Sequence, residues 1–212
     1  MSKKIVFAGG GTGGHIFPGL AIADELKTLS KINNIDIKIY WFGNSGGIDK
    51  SIVERSNSVD KFIGIPSGKL RRYFSVQNFF DVFKIFAGFV VSFFQLLILR
   101  PAVLFSKGGF VSVPPCIAAR LLGIPVFTHE CDFTPGLATK INSRFASRIL
   151  VTYEETKKYF PLNKQSKLIV TGNPVRPAFY NSNPQEGRKF LSQKTASDDD
   201  LVIFDKPVLL VL

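Results

Sequence analysis

Short apolar runs alternate with longer amphipathic stretches along most of the chain. Lys4–Ala8, Ile37–Phe42, Val59–Ile65, Ala102–Ser106, Pro125–Thr128, Ile149–Thr152 and Leu168–Thr171 predict seven strands. Few polar residues interrupt these runs, as expected for parallel strands covered on both faces. Ile16–Ser30, Val113–Leu122 and Gly136–Ala146 predict helices between them. The alternation predicts the α/β class, with a Rossmann-like, doubly wound parallel sheet.

Residues 73–99, "YFSVQNFFDVFKIFAGFVVSFFQLLIL", depart from this pattern. Positions 79, 83, 86, 90, 93 and 97 form an apolar stripe at helical spacing, and Phe80, Phe89, Phe94 and Ile98 make the other faces apolar too. The uncharged run Ile85–Leu99 has 15 residues, short of the roughly 20 that a spanning helix needs. Two readings stand side by side. One is a helix buried against the sheet. The other is a helix that also enters a membrane interface, with Lys69, Arg71 and Arg72 attracting anionic head groups and Phe74, Phe79, Phe80, Phe83 and Phe86 inserting beside them.

Polar residues dominate 181–206, which predicts a linker with a short helix around Gln185–Gln193. "KPVLLVL" then begins a new strand. The expected organisation is a Rossmann-like domain over 1–180, the linker over 181–206, and at 207–212 the first strand of a further domain. Asp198 and Asp200 in "SDDDL" have the D-x-D spacing of some metal-binding transferases, but their polar surroundings predict a solvated charge run. No metal site is expected.

The chain has 212 residues, 45% hydrophobic and 20% charged, enough apolar content for a buried core. Cys116 and Cys131 are the only cysteines and form no C-x-x-C. That disfavours a disulfide framework or a zinc site and fits a reducing compartment. The apolar part of "MSKKIVFAGGG" is too short for a secretory signal and reads as the first strand. The net charge is +11, and between 61 and 110 seven basic residues face Asp81 alone. Such an excess suits nucleic acid, an anionic membrane or phosphorylated ligands. Its company here is a Phe-rich helix rather than an RNA-binding signature, so nucleic acid is the least favoured partner.

"FAGGGTGGHIFPG", residues 7–19, contains six glycines, with Gly9, Gly11 and Gly14 at the spacing G-x-G-x-x-G. A strand, a glycine-rich turn and a helix start together aim backbone N–H groups and the helix dipole at an anion. Pro18 suits the beginning of a helix. A nicotinamide site also needs a carboxylate at the end of the second strand. That strand ends "IYWFGN", with Gly43 and Asn44 in the place, while Asp36 lies at the wrong end. The dinucleotide reading is therefore disfavoured. His15 follows the loop, and its ordinary pKa near neutrality suits a general base. A helix-start histidine bonded to backbone satisfies the same spacing, so both roles stay open.

Three stretches, "GGGTGGHIFPGLAIADEL", "SKGGFVSVPPCIAARLLGIPVFTHECDFTPGLATKINSRFA" and "VTGNPVRP", occur in order and together resemble glycosyltransferase family 28. The resemblance covers residues 3 to about 180. It implies the N-terminal half of a two-domain GT-B fold, with the C-terminal half carrying most of the nucleotide-sugar site. The implied reaction is an inverting displacement. The C4 hydroxyl of undecaprenyl-diphosphate-linked N-acetylmuramyl-pentapeptide (lipid I) attacks C1 of UDP-N-acetylglucosamine and gives lipid II for peptidoglycan synthesis. It implies no cofactor, and a peripheral location on the cytoplasmic face of the bacterial inner membrane.

By the same resemblance His15 is the candidate base. Thr12, Gly13 and Gly14 match a donor-contacting turn, and Arg176 in "GNPVR" matches an arginine that assists nucleotide-sugar binding. At 132 this chain has Asp where many members have Asn; Asp132 keeps an oxygen for a sugar hydroxyl on the donor side. Glu130 is a second catalytic candidate, and a buried carboxylate holding loop amides is its alternative. Lys107, Gly108 and Gly109 in "SKGGFVS" suggest a second anion-facing loop, for the acceptor diphosphate, against which a plain structural turn stands open. A non-catalytic, lipid-acceptor-binding half of a split transferase is the rival reading, though the first and third motifs match the single-chain enzymes closely.

Overall fold

The computed structural model describes residues 2–68, 76–176, 179–180 and 183–195. Lys69, Arg71, Arg72, Phe74, Asp198, Asp200 and the expected strand at 207–212 lie outside them. The chain divides into two compact units, Met1–Val175 and Arg176–Leu212.

The first unit runs β1 (Lys3–Gly9), α1 (Gly13–Ile32), β2 (Ile37–Asn44), α2 (Asp49–Glu54), β3 (Lys61–Ile65), α3 (Val76–Leu99), β4 (Val103–Gly108), a 3₁₀ turn Phe110–Ser112, α4 (Val113–Leu121), β5 (Val126–Glu130), α5 (Leu137–Asn142), β6 (Arg148–Val151), two more 3₁₀ turns, and β7 (Leu168–Val170). The seven strands form one parallel sheet in the order β3-β2-β1-β4-β5-β6-β7. Each strand run predicted from the sequence overlaps one of these. In the second unit, α6 spans Pro184–Thr195. Asn183 accepts from the Gln185 amide through its side chain at its start, a common helix-start arrangement with Pro first.

Consecutive residues of the central strands enter opposite cores. Val6 and Ala8 of β1, Phe42 of β2 and Leu104 of β4 pack on one face. Phe7, Trp41 and Phe105 pack on the other with Ile16 and Leu20 of α1. This two-sided burial is why the strands read as unbroken apolar runs. Trp41 stacks on Phe7 with ring centroids 5.5 Å apart, and its indole N–H donates to the Gly9 carbonyl at 3.0 Å. The core thus grips the strand end where the first glycine loop begins.

Two expectations need correction. Helix α1 starts at Gly13, three residues before the predicted Ile16, so Pro18 sits in its second turn rather than at its start. Helix α5 stops at Asn142, because Arg144 and Phe145 donate three residues back, to Ile141 and Asn142, and tighten the chain out of the α-helix. For α3, the structure shows which positions face inward. The stripe at 79, 83, 86 and 97 faces outward: Phe79 is 63%, Phe83 59%, Phe86 66% and Leu97 42% exposed. The buried positions are Asp81, Gly88, Ser92 and Leu96. The helix comes so close to the exit of β3 that a Cβ at Gly88 would lie 2.2 Å from the Pro66 carbonyl oxygen. Small residues therefore line the closest approach, Leu96 fills the core beside them with Phe89, Phe93 and Leu99 at its margin, and Phe79, Phe83 and Phe86 stay outside.

Candidate functional site

The chain leaves β1 toward β2 on one side of the sheet and β4 toward β5 on the other. Between β1 and β4 the order reverses, and the loops leaving their carboxyl ends bound a crevice where α/β proteins bind ligands. Those loops are the two glycine-rich stretches. Gly109 has φ of +76°, and a Cβ there would lie 2.4 Å from the Gly10 carbonyl oxygen. Only glycine lets the two loops meet this closely.

His15 lies in the first turn of α1, between the loops, with its Nδ1 3.2 Å from the Lys107 carbonyl oxygen. A carbonyl only accepts, so Nδ1 donates and Nε2 keeps its lone pair. Burial holds the His15 pKa below its ordinary value, and the positive Lys107 adds to the shift. The ring is therefore neutral at pH 7. It lines a cavity of about 320 Å³ with Gly10, Gly11, Thr12, Gly109, Phe110 and Leu137. One nitrogen is bonded to backbone, as one of the two sequence readings expects, and the other keeps its lone pair.

Lys107 differs from the expected loop cation. The β1–β4 register runs Ala8↔Ser106 and then Gly9↔Gly108, skipping Lys107. Such a bulge re-aims the extra residue's side chain. Lys107 is 1% exposed, and its ammonium reaches Cys131 Sγ at 2.7 Å instead of facing solvent. An acceptor phosphate at this loop would meet the glycine turn, Gly108 and Gly109, rather than this ammonium.

Glu130, at the end of β5, is buried. One oxygen accepts from the Asp132 amide and the other from the Gly136 amide, both at 3.0 Å. Of its two sequence readings, the carboxylate that shapes its loop describes these bonds. Asp132 is exposed on that loop, as are Thr12 and Gly14 beside His15, while Gly13 is half-buried. Arg176 begins the second unit.

Several contributors have no sequence signal. Asp49, the first residue of α2, is fully buried, and its carboxylate accepts from the Gly11 amide at 3.0 Å and the Asn44 amide at 2.7 Å. A carboxylate does stand beyond β2, as a dinucleotide site requires, but the protein's own backbone occupies it. Asn142 donates to Ser106 at 3.0 Å and Ser112 at 2.8 Å, bracing the second loop from α5. Phe133 packs at ring-centroid distances of 5.9 Å and 6.2 Å from Tyr153 and Tyr159, with the Lys158 ammonium 5.1 Å over its ring. These contacts join residues far apart in sequence, so periodicity does not reveal them.

His129 is 1% exposed and its Nε2 donates to the Gly172 carbonyl at 3.1 Å. Burial, aided by Lys107, lowers its pKa from 6.5 to about 4. The folded state keeps this ring neutral while the unfolded chain protonates it, so acid favours unfolding. Stability is expected to be level above pH 6.5 and to fall, as the pH drops to about 4, by about 3 kcal/mol. Urea midpoints across that range would show the slope, and His129→Gln should flatten it.

Among known proteins, the model of the glycosyltransferase family 28 N-terminal domain matches residues 5–151. A Treponema denticola protein named UDP-N-acetylglucosamine–N-acetylmuramyl-(pentapeptide) pyrophosphoryl-undecaprenol N-acetylglucosamine transferase is 57% identical over 99% of this chain and 52% of its own length. A Treponema pallidum protein of the same name is 53% identical over 90% of this chain and 48% of its own. The chain thus spans about half the length of these curated relatives. The crystal structure of Acinetobacter baumannii MurG superposes with a TM-score of 0.64 at 27% identity, covering 82% of this chain and 46% of that one. With its parallel sheet, paired glycine loops and this match, the chain belongs to glycosyltransferase family 28, and its fold is the N-terminal, Rossmann-like half of a GT-B enzyme.

Proposed function

We propose that this chain is the acceptor-side half of an inverting N-acetylglucosaminyltransferase that converts lipid I to lipid II with UDP-N-acetylglucosamine as donor. The carrying observation is His15: neutral, held through Nδ1 by the Lys107 carbonyl, and lining a cavity at the sheet's switch point. In this reading Nε2 takes the proton of the muramyl C4 hydroxyl as that oxygen attacks the sugar C1. The Gly108–Gly109 turn receives the acceptor diphosphate through the Gly109 amide, the Gly108 amide being bonded to Ser106 Oγ at 3.3 Å. Thr12, Gly13, Gly14, Asp132 and Arg176 serve the donor, the guanidinium suiting its diphosphate. Glu130 is a positioning residue that fixes the loop carrying Asp132. Residues 1–180 form the acceptor domain, 181–206 the linker, and 207–212 the first strand of the donor domain. Labelled UDP-N-acetylglucosamine and lipid I test the reading. The whole two-domain protein should transfer sugar and residues 1–212 alone should not; absence of transfer by the whole protein would refute it.

The same reading places the protein peripherally on the cytoplasmic face of the inner membrane through α3. Asp81–Leu99 has a mean hydropathy of 2.2 with only 17% of its most apolar stretch buried. Phe79, Phe83 and Phe86 project outward, and Lys69, Arg71 and Arg72 precede the helix in sequence. Inserting a phenylalanine ring into an apolar phase is worth about 1.5–3 kcal/mol. Changing all three to serine should weaken co-sedimentation with anionic vesicles at least about tenfold. Equal sedimentation of both proteins would remove α3 from the membrane contact.

A further inference from the structure

We infer that Lys107 and Cys131 are a site of oxidative cross-linking, at which one oxygen joins Nζ to Sγ and ties the second glycine loop to the loop after β5. The two side chains come from residues 24 apart and meet at 2.7 Å. Sulfur is larger than oxygen, so an N–H···S contact ordinarily lies beyond the roughly 2.7–3.2 Å of N–H···O bonds. The pair is too far apart for a direct N–S bond and close to the span of a single bridging atom.

The surroundings supply what the chemistry needs. Lys107 is 1% exposed, and among the described residues its ammonium has no carboxylate ion pair and hydrogen-bonds only to Cys131 Sγ. Cys131 is half-buried, so a small oxidant reaches it. Its thiol donates to Asn173 Oδ1 at 2.8 Å, leaving sulfur lone pairs toward Lys107. On its other side, 3.8 Å away, is His129 Nδ1. Because His129 Nε2 donates to Gly172, Nδ1 turns a lone pair toward the sulfur. Among cysteines, it is the accessible ones, not the fully buried, that small oxidants attack.

The oxidant is a peroxide. One equivalent places an oxygen on Sγ: the O–O bond breaks, sulfur loses two electrons, and sulfenic acid and water result. A second equivalent oxidises Nζ, after the ammonium has released a proton, by two electrons to a hydroxylamine, again with water. The hydroxylamine oxygen then attacks Sγ, and the sulfenic hydroxyl leaves as a third water. In sum, one thiol, one amine and two peroxides give one S–O–N bridge and three waters. Relative to the reduced chain, the product gains one oxygen and loses two hydrogens. It also carries no ammonium charge beside His15.

The test is peptide mapping of the whole chain by mass spectrometry, before and after hydrogen peroxide, without reductant. The expected product links the peptides bearing Lys107 and Cys131, with that mass change and loss of tryptic cleavage after Lys107. Lys107→Arg and Cys131→Ser should each abolish it. Cys116 is an internal control: it is fully buried, with its thiol pushed up to about 12, and should stay unmodified. Sulfenic or sulfinic acid on Cys131 with Lys107 still cleavable would overturn the inference. So would a link lacking the oxygen, or the same mass change in Lys107→Arg. The wild-type map decides the matter even if a variant misfolds. It measures no sugar transfer, so its failure would leave the proposed function standing.

Discussion

His15→Ala in the two-domain protein is expected to slow transfer from UDP-N-acetylglucosamine to lipid I by about 10²–10⁴-fold, the range that a positioned general base supplies. The ring touches neither substrate's binding groups in this reading, so the loss should fall on kcat more than on KM. The direction of pH dependence follows from the lowered pKa of His15. Only the neutral ring accepts a proton. The rate should be level around pH 7 and fall as the pH drops through that lowered pKa, on the acid side of 6.5. Lys107→Met removes the cation that adds to the depression, and should move this acid limb toward higher pH. Transfer rates and a kcat/KM–pH profile measure both effects. Near-wild-type turnover in His15→Ala would remove the ring from the chemistry.

Asp49→Ala is expected to lower the unfolding free energy by about 2–6 kcal/mol. The carboxylate is fully buried and accepts from the Gly11 and Asn44 amides. Removing it leaves two donors without partners, at about 1–3 kcal/mol each. Asp49→Asn keeps one acceptor and turns an NH₂ toward the other amide, so it should recover part of the loss. Urea denaturation at pH 7 gives the stabilities, and faster hydrogen exchange at Gly11 should accompany them. A change below about 1 kcal/mol would show that another group or water satisfies these amides.

Asp49 also shows where sequence reading stops. The absence of a carboxylate at the end of β2 counts against a nicotinamide site. The aspartate five residues further on carries no sequence signal, because "IDKSIVE" has neither apolar periodicity nor a chemical motif. Its importance comes from folding back under Gly11, 38 residues earlier. Lys107 is similar. Its place in "SKGGFVS" marked an anion-facing loop, yet a one-residue register skip against β1 turned the ammonium inward. A bulge belongs to a pair of strands and leaves no trace in either one alone.

Helix α3 is the intermediate case. Its existence is plain from composition, and the structure shows it packed on the sheet by one face with the other exposed. Which stripe would face the protein was not legible, since all faces are apolar. The close approach at Gly88 settled that, because packing favours small residues where backbones nearly touch.

By itself, then, the sequence determined the seven strands, the parallel α/β class and both glycine loops. Those features are local: burial on two faces demands continuous apolar runs, and tight turns at strand ends demand glycine. Tertiary structure alone decided that β1 and β4 lie side by side, about a hundred residues apart in the chain. From that pairing came the crevice, the tautomer of His15, the inward Lys107 and its contact with Cys131. The physical reason is that a hydrogen bond across the switch point is set by strand order and register, which no short window of residues encodes.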